Sequence, residues 1–138
     1  MGFVDAVKQV FSHYATFTGR ARRSEYWYFV LFTMIATTAL GVFTKRTPVE
    51  FSGHVIMVGH NALLGAFNLA IFIPRVAVTV RRLHDVGRSG WCWFWILFPI
   101  AGPIMLLIWM CREGEHRTNR FGPDPKAPAE RGSAPWEY

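Results

Sequence analysis

Three stretches without a single Asp, Glu, Lys or Arg dominate this sequence: residues 26–43, 55–74 and 91–111. They are 18, 20 and 21 residues long, and a helix of ~20 residues spans the ~30 Å of hydrocarbon in a bilayer. Three buried helices of a soluble domain would need amphipathic partners, which a chain of 138 residues has little length left to supply. The pattern therefore favours transmembrane helices over a soluble fold.

Composition agrees with a single membrane domain. The chain is 51% hydrophobic and 17% charged, so its charge is concentrated around the apolar runs. We predict one membrane domain over residues 1–125 and a disordered tail over 126–138, where Pro, Gly and charged residues dominate. The first apolar run follows three arginines and is long for a signal peptide, so it reads as an uncleaved span.

The predicted fold is all-α, with an N-terminal amphipathic helix and three spans. Apolar residues recur every three or four positions from Phe3 to Tyr14, which is typical of a helix lying in the membrane interface. The spans are placed at about 26–43, 58–80 and 91–111, with a short polar connection between the first two. Asn61, Gly65 and Asn68 share one face of the second span, which predicts a helix-packing strip or, alternatively, a polar path.

The third run leaves two topologies open. Tryptophans near both ends, Trp91 and Trp109, favour a full crossing, whereas Pro99, Gly102 and Pro103 imply a kinked helix or a re-entrant segment. Three crossings place eight Lys and Arg residues on one side and seven on the other, and a re-entrant third segment places thirteen against two. We predict three crossings, with the N-terminus and the 81–90 loop cytoplasmic.

Charged residues cluster in three motifs beside the apolar runs. These are GRARRSEYW (19–27), RRLHDVGRSGW (81–91) and NRFGPDP (119–125). In this order, over about residues 10–125, they resemble the bacterial domain-of-unknown-function family numbered 805. The resemblance implies a small, multi-pass protein of the bacterial inner membrane and implies no biochemical activity.

The motifs supply the candidate binding residues. Arginine can hold phosphate through two parallel hydrogen bonds, so these residues could engage anionic lipid headgroups or a membrane partner. The candidates are Arg20, Arg22, Arg23, Arg81, Arg82, His84, Asp85 and Arg88. The alternative is structural: the arginines fix orientation, and Asp85 and Glu25 pair with them.

Catalytic and metal-binding interpretations have less support. Gly87-Arg88-Ser89-Gly90 is similar to the nucleophile motif of rhomboid proteases, but the one later histidine, His116, lies in the polar tail. The adjacent His84 and Asp85 suggest a metal site without completing a recognisable ligand pattern. We therefore predict no enzyme activity, no metal and no cofactor.

The partners predicted for this chain are membrane components. Its net charge of +6 lies around the membrane boundaries, which favours anionic lipid over nucleic acid. The predicted function is a non-enzymatic scaffold or binding module that engages anionic lipid or a membrane protein partner. A small oligomeric transporter or channel component is the alternative.

Overall fold

The computed structural model describes residues 1–127, which form mainly helices with one β-hairpin. The elements in chain order are α1 (Phe3–Ser12), α2 (Arg23–Gly41), β1 (Lys45–Phe51), β2 (His54–His60), α3 (Ala62–Asp85), a 3-10 helix (Gly90–Leu97) and α4 (Ala101–Cys111). Residues 128–138, most of the predicted disordered tail, lie outside the described residues.

Two long helices, α2 and α3, run antiparallel. At one end, the Ala21 amide donates a hydrogen bond of 3.0 Å to the Arg81 carbonyl. At the other end, the Asn61 side chain donates to the Leu40 carbonyl at 2.7 Å and accepts from the Leu64 amide at 3.0 Å. Asn61 therefore caps the start of α3 and ties it to the end of α2.

Helix α1 packs against this pair. Ala6 and Val10 are fully buried, and Val10 joins Ala21, Phe29 and Val78 in a small core. The ring of Phe11 meets Phe29 edge-on at 5.9 Å. The amphipathic pattern thus does form a helix, and its buried face lies against protein.

The hairpin corrects the all-α prediction. Residues 55–60 were predicted to lie in or beside the second span, but they form β2, which pairs with β1 from Lys45↔His60 to Phe51↔His54. The loop is Ser52-Gly53, and both residues have positive φ, 51° and 77°, as tight two-residue hairpin turns require. α3 consequently begins at Ala62 and extends to Asp85, later at both ends than the predicted 58–80.

The third apolar run reverses direction, so the predicted full crossing is not confirmed. The 3-10 helix is followed by a turn in which Ile100 has φ 70°, and α4 then runs back for 11 residues. A Cβ on Gly102 would overlap the carbonyl of Trp95, which shows how closely the 3-10 helix and α4, the two limbs of the reversing segment, approach each other. At the end of the return limb, the Glu115 amide donates to the Asp85 carbonyl at 2.8 Å. Both ends of the segment therefore lie beside the end of α3, as the re-entrant alternative requires.

Within the described residues, α3 alone is both long enough and apolar enough to cross a membrane, so three spans are not confirmed. α2 has 19 residues, but Arg23 and Glu25 in its first turn lower its mean hydropathy. α4 is apolar and, at 11 residues, short. Among the described helices, α3 therefore meets both requirements for a membrane span, whereas α2 meets only the length and α4 only the hydropathy.

Candidate functional site

The three charged motifs meet at one end of the helix pair. The loop before α2 carries the first motif, the last turn of α3 carries the second, and the chain after α4 brings back the third. This meeting depends on the reversal at Ile100, because a crossing segment would have carried NRFGPDP to the opposite end. We call the buried charged group at this junction, Arg20, Glu25, Arg81, Arg82 and Asp85, the arginine cluster.

Asp85 lies at the centre of the arginine cluster. One carboxylate oxygen, Oδ1, accepts from Arg20 Nε at 3.0 Å, and the other, Oδ2, accepts from Arg82. The three side chains are almost completely buried, with exposed fractions of 1%, 0% and 4% for Arg20, Arg82 and Asp85. Buried ions are tolerated only when they are paired and fully hydrogen-bonded. The Asp85 carboxylate therefore allows two arginine side chains to be buried here.

The remaining donors of Arg20 and Arg82 bind backbone carbonyls of the returning chain. Arg20 donates to the carbonyls of Arg117 at 2.6 Å and Gly122 at 3.3 Å, and also to that of Glu115. Arg82 donates to the Met110 carbonyl at 3.4 Å and to the Arg112 carbonyl. The last carbonyls of a helix have no partner within the helix, so Arg82 also caps the end of α4.

Arg81 forms a second, separate ion pair. Its NH1 group donates to Glu25 Oε1 at 2.8 Å, and both side chains are buried, with 3% and 4% exposed. The other two guanidinium nitrogens, Nε and NH2, are buried with no hydrogen-bond partner among the described residues. Arg81 thus joins α3 to the first turn of α2 through one bond.

His84 joins the first and third motifs. Its Nδ1 lies 3.0 Å from the Gly19 carbonyl, and its ring stacks on Phe121 with centroids 3.9 Å apart. The Asn119 side chain donates to the His84 carbonyl at 3.0 Å. Asn119 and Phe121 are therefore the residues through which NRFGPDP docks on the end of α3.

The structure divides the predicted binding residues into two groups. Arg20, Arg81, Arg82, His84 and Asp85 are buried and engaged inside the protein. The other three lie at the periphery: Arg22 donates to the Pro125 carbonyl at 2.6 Å, Arg23 is exposed, and Arg88 is exposed with its guanidinium 5.3 Å from the Trp109 ring. The contacts of the buried arginines match the alternative in which Asp85 and Glu25 simply pair with them.

Further cations surround the arginine cluster on the same face. We call this exposed set the basic rim; it comprises Arg23, Arg88, Arg112, Arg117, Arg120 and Lys126. Lys126 pairs with Glu113 at 3.1 Å, and this hydrogen bond lowers the pKa of the exposed Glu113 carboxyl. Shallow polar pockets of about 370–380 Å³ lie between rim residues, one beside Arg88 and Arg112 and another beside Arg117 and Arg120.

The three residues of the predicted polar strip on the second span have different surroundings. Asn61 caps α3 at its end, and the Asn68 side chain is exposed and donates to the Leu64 carbonyl of its own helix at 2.9 Å. A Cβ on Gly65 would meet no described atom within 4 Å. Within residues 1–127, Asn61 thus contacts the end of α2, whereas the side-chain hydrogen bond of Asn68 stays within α3.

Sequence reasoning missed Gly114, the glycine that makes room for the cluster. A Cβ on Gly114 would overlap the carboxylate of Asp85, and one on Gly87, whose φ is +72°, would collide with the Glu115 side chain. Gly114 belongs to none of the three motifs, and its isolated position after α4 gave no local signal. Only the contact between residues 85 and 114 reveals why the side chain must be absent.

Comparison with known proteins finds a family model and inner membrane proteins of Escherichia coli that are similar to this chain. A family model described as "Protein of unknown function (DUF805)" matches residues 14–123, which contain the first two motifs and the first five residues of the third. Inner membrane protein YhaH of Escherichia coli K12 is 38% identical over 123 residues, covering 89% of this chain and 98% of that protein. Inner membrane protein YhaI of the same strain is 38% identical over 118 residues, covering 85% and 92%. No solved structure matches significantly. On this similarity, which covers most of its length, the chain belongs to the DUF805 family.

Proposed function

We propose that this protein is a non-enzymatic binding module of the bacterial inner membrane, whose basic rim engages the headgroups of anionic lipids. The similar proteins YhaH and YhaI are both named as inner membrane proteins. Their names carry no activity, so the proposal rests on the distribution of charge in this chain.

The arrangement of helices supports a topology with two crossings. At about 1.5 Å per residue, α2 and α3 are roughly 28 and 36 Å long, and the hydrocarbon core is roughly 30 Å thick. The antiparallel pair would place the hairpin on one side and all three motifs on the other. The reversing third segment would enter from the motif side and return to it.

The charge distribution supports a cytoplasmic location for the motif side. Lys45 and Arg46 are the basic residues of the hairpin, whereas the basic rim and the arginine cluster lie together at the opposite end. Positive residues in short loops favour the cytoplasmic side. The inner leaflet carries anionic lipid, and each Lys or Arg near such a surface contributes about 1 kcal/mol of attraction.

One observation carries the lipid proposal: the buried arginines already have internal partners, while the rim arginines remain exposed on the same face. The side chains of Arg112 and Arg117 make no hydrogen bond or ion pair among the described residues. Because the arginine cluster holds the surrounding loops in place, the rim presents its charge from a fixed surface. A fixed backbone lowers the entropic cost of bringing several cations to one anionic surface, although each side chain must still be ordered on binding.

The test is a binding titration of the detergent-purified protein with a fluorescent phosphatidylglycerol, with phosphatidylcholine as the neutral lipid. The variant Arg88→Gln/Arg112→Gln/Arg117→Gln removes three rim charges, and Lys45→Gln/Arg46→Gln is the control on the hairpin. We expect wild type to prefer phosphatidylglycerol, and the triple variant to bind it at least about tenfold more weakly, since roughly 1 kcal/mol is lost per charge.

Salt gives a second readout of the same interaction. Exposed charges are screened at high ionic strength, so the preference of wild type for phosphatidylglycerol should fall as salt is raised. The hairpin control should bind like wild type. Equal binding of phosphatidylglycerol by wild type and the triple variant would overturn the proposal.

A further inference from the structure

A lateral cleft of about 420 Å³ separates α3 from the reversing segment and is closed at one end by α2. This volume lies in the range of ~300–1,000 Å³ typical of small-molecule sites. Phe72, Ile96 and Leu107 belong to its apolar wall, while Tyr26, Arg75 and Thr79 bring polar groups to it. No residue of the arginine cluster or the basic rim lines the cleft, which borders the cluster through Met110.

Arg75 is the unusual residue of this cleft. It lies ten residues before Asp85, about 15 Å along α3 at 1.5 Å per residue, and therefore inside the helix proposed to cross the membrane. Its guanidinium makes no ion pair or hydrogen bond within the part of the chain that the structure describes. A charged residue within a membrane helix is costly and normally marks a functional site with a partner of opposite charge.

The position of Arg75 along α3 restricts what that partner can be. The charged run Arg81–Asp85 sets the headgroup level, so Arg75 lies about 9 Å below it at 1.5 Å per residue. A long arginine side chain can extend over part of that distance towards the interface. Thr79 and Tyr26 line the cleft on the way to the headgroup level, whereas Phe72 lies deeper. The polar groups of the cleft thus lie between Arg75 and the motif side, within a lining that is otherwise mostly apolar.

We infer that the lateral cleft binds one anionic phospholipid, with its phosphate at Arg75 and an acyl chain along the apolar wall. A phosphate matches the guanidinium in charge and can accept two parallel hydrogen bonds from it. The acyl chain matches the apolar lining of the cleft, which would otherwise be filled by loosely packed lipid tails. This site is independent of the proposed action of the basic rim, since the two share no residue.

Native mass spectrometry of the full chain, released from detergent after purification from membranes, tests this inference directly. We expect wild type to retain one phosphatidylglycerol molecule. Arg75→Gln should reduce the population carrying lipid by about tenfold, because it removes the anchor for the phosphate. Leu107→Trp should also reduce it, because the larger side chain fills the cleft while leaving the charge in place. Lys45→Gln, on the hairpin, is the matched control for loss of one charge.

The outcomes separate this inference from the proposed function. Loss of the rim charges in Arg88→Gln/Arg112→Gln/Arg117→Gln should leave the single retained lipid in place, even if it abolishes the binding measured by titration. Retention of the lipid by Arg75→Gln at the level of wild type would overturn the inference. Retention of a zwitterionic lipid, or of a free fatty acid in place of phosphatidylglycerol, would overturn it as well. Far-ultraviolet circular dichroism checks that each variant remains folded.

Discussion

Arg81 and Arg82 are neighbours in the sequence and are equally buried, yet their side chains make different sets of contacts. Arg82 uses all three guanidinium nitrogens, on Asp85 and on the carbonyls at the end of α4. Arg81 uses one nitrogen, on Glu25, and leaves two without a partner among the described residues. A lysine has a single nitrogen and cannot reproduce the planar fork of arginine, so the two positions should tolerate lysine differently.

We expect Arg82→Lys to destabilise the protein by at least about 1.5–3 kcal/mol, the range for a lost hydrogen bond to a charged group. Arg81→Lys should cost less than about 1 kcal/mol, because lysine keeps the ion pair and removes two buried donors that lack partners. Thermal unfolding of each variant in detergent, followed by circular dichroism, measures the difference. Equal melting temperatures for the two variants would contradict the assignment of the three bonds to Arg82.

Sequence reasoning at this scale singled out charged residues that the structure brings together, and it left their role open. Arg20, Arg82 and Asp85 were recognisable as a dense charge between apolar runs, and the pairing of Asp85 and Glu25 with arginines was one of two predictions. The observed burial of these side chains depends on residues far away in the chain: Arg20 binds the carbonyls of Glu115, Arg117 and Gly122. A local pattern of charge carries no information about such partners.

At the scale of elements, the sequence predicted the long helices better than the segments between them. Val55–Val58 was counted with the apolar run that follows, although β-branched residues there and the Ser52-Gly53 pair before them are typical of a hairpin. In the third run, tryptophans near both ends suggested a crossing. The turn-forming residues in its middle instead allow the chain to reverse, and Trp95 meets Trp109 edge-on at 6.3 Å across the two limbs.

Gly102 gives the clearest test of that reversal. An alanine there would force its Cβ into the carbonyl of Trp95, so Gly102→Ala should cost about 1–3 kcal/mol, as overpacking does. Gly65→Ala is the matched control in α3, where the added methyl meets no described atom within 4 Å. That change should be neutral or stabilising by about 0.5–1 kcal/mol, since alanine favours a helix over glycine.

Differential scanning calorimetry of both glycine variants in the same detergent gives the comparison. A lower transition temperature for Gly102→Ala, with none for Gly65→Ala, supports the close contact between the limbs. If Gly102→Ala unfolds at the temperature of wild type, the two limbs do not approach as described.

At the scale of the whole molecule, the contacts that fix topology join distant parts of the sequence. The count of basic residues was nearly balanced for three crossings and strongly asymmetric for a re-entrant segment, so the charge pattern already contained a signal for the latter. The tryptophans of the third run outweighed it in the sequence-based prediction. The contact of Glu115 with Asp85 and that of Asn119 with His84 place the chain after α4 beside the end of α3.

Paired reporter fusions test the resulting topology. One reporter is inserted in the loop Gly87–Ser89, and another is fused after Tyr138. We expect both to report the cytoplasm, because the three motifs share one face. A reporter inserted between Ser52 and Gly53, in the turn of the hairpin, should report the periplasm. A periplasmic signal from the C-terminal fusion would mean that the third segment crosses the membrane. In that case the arginine cluster could not form, because Arg20 and Arg82 would lie across the bilayer from the carbonyls of residues 110–122.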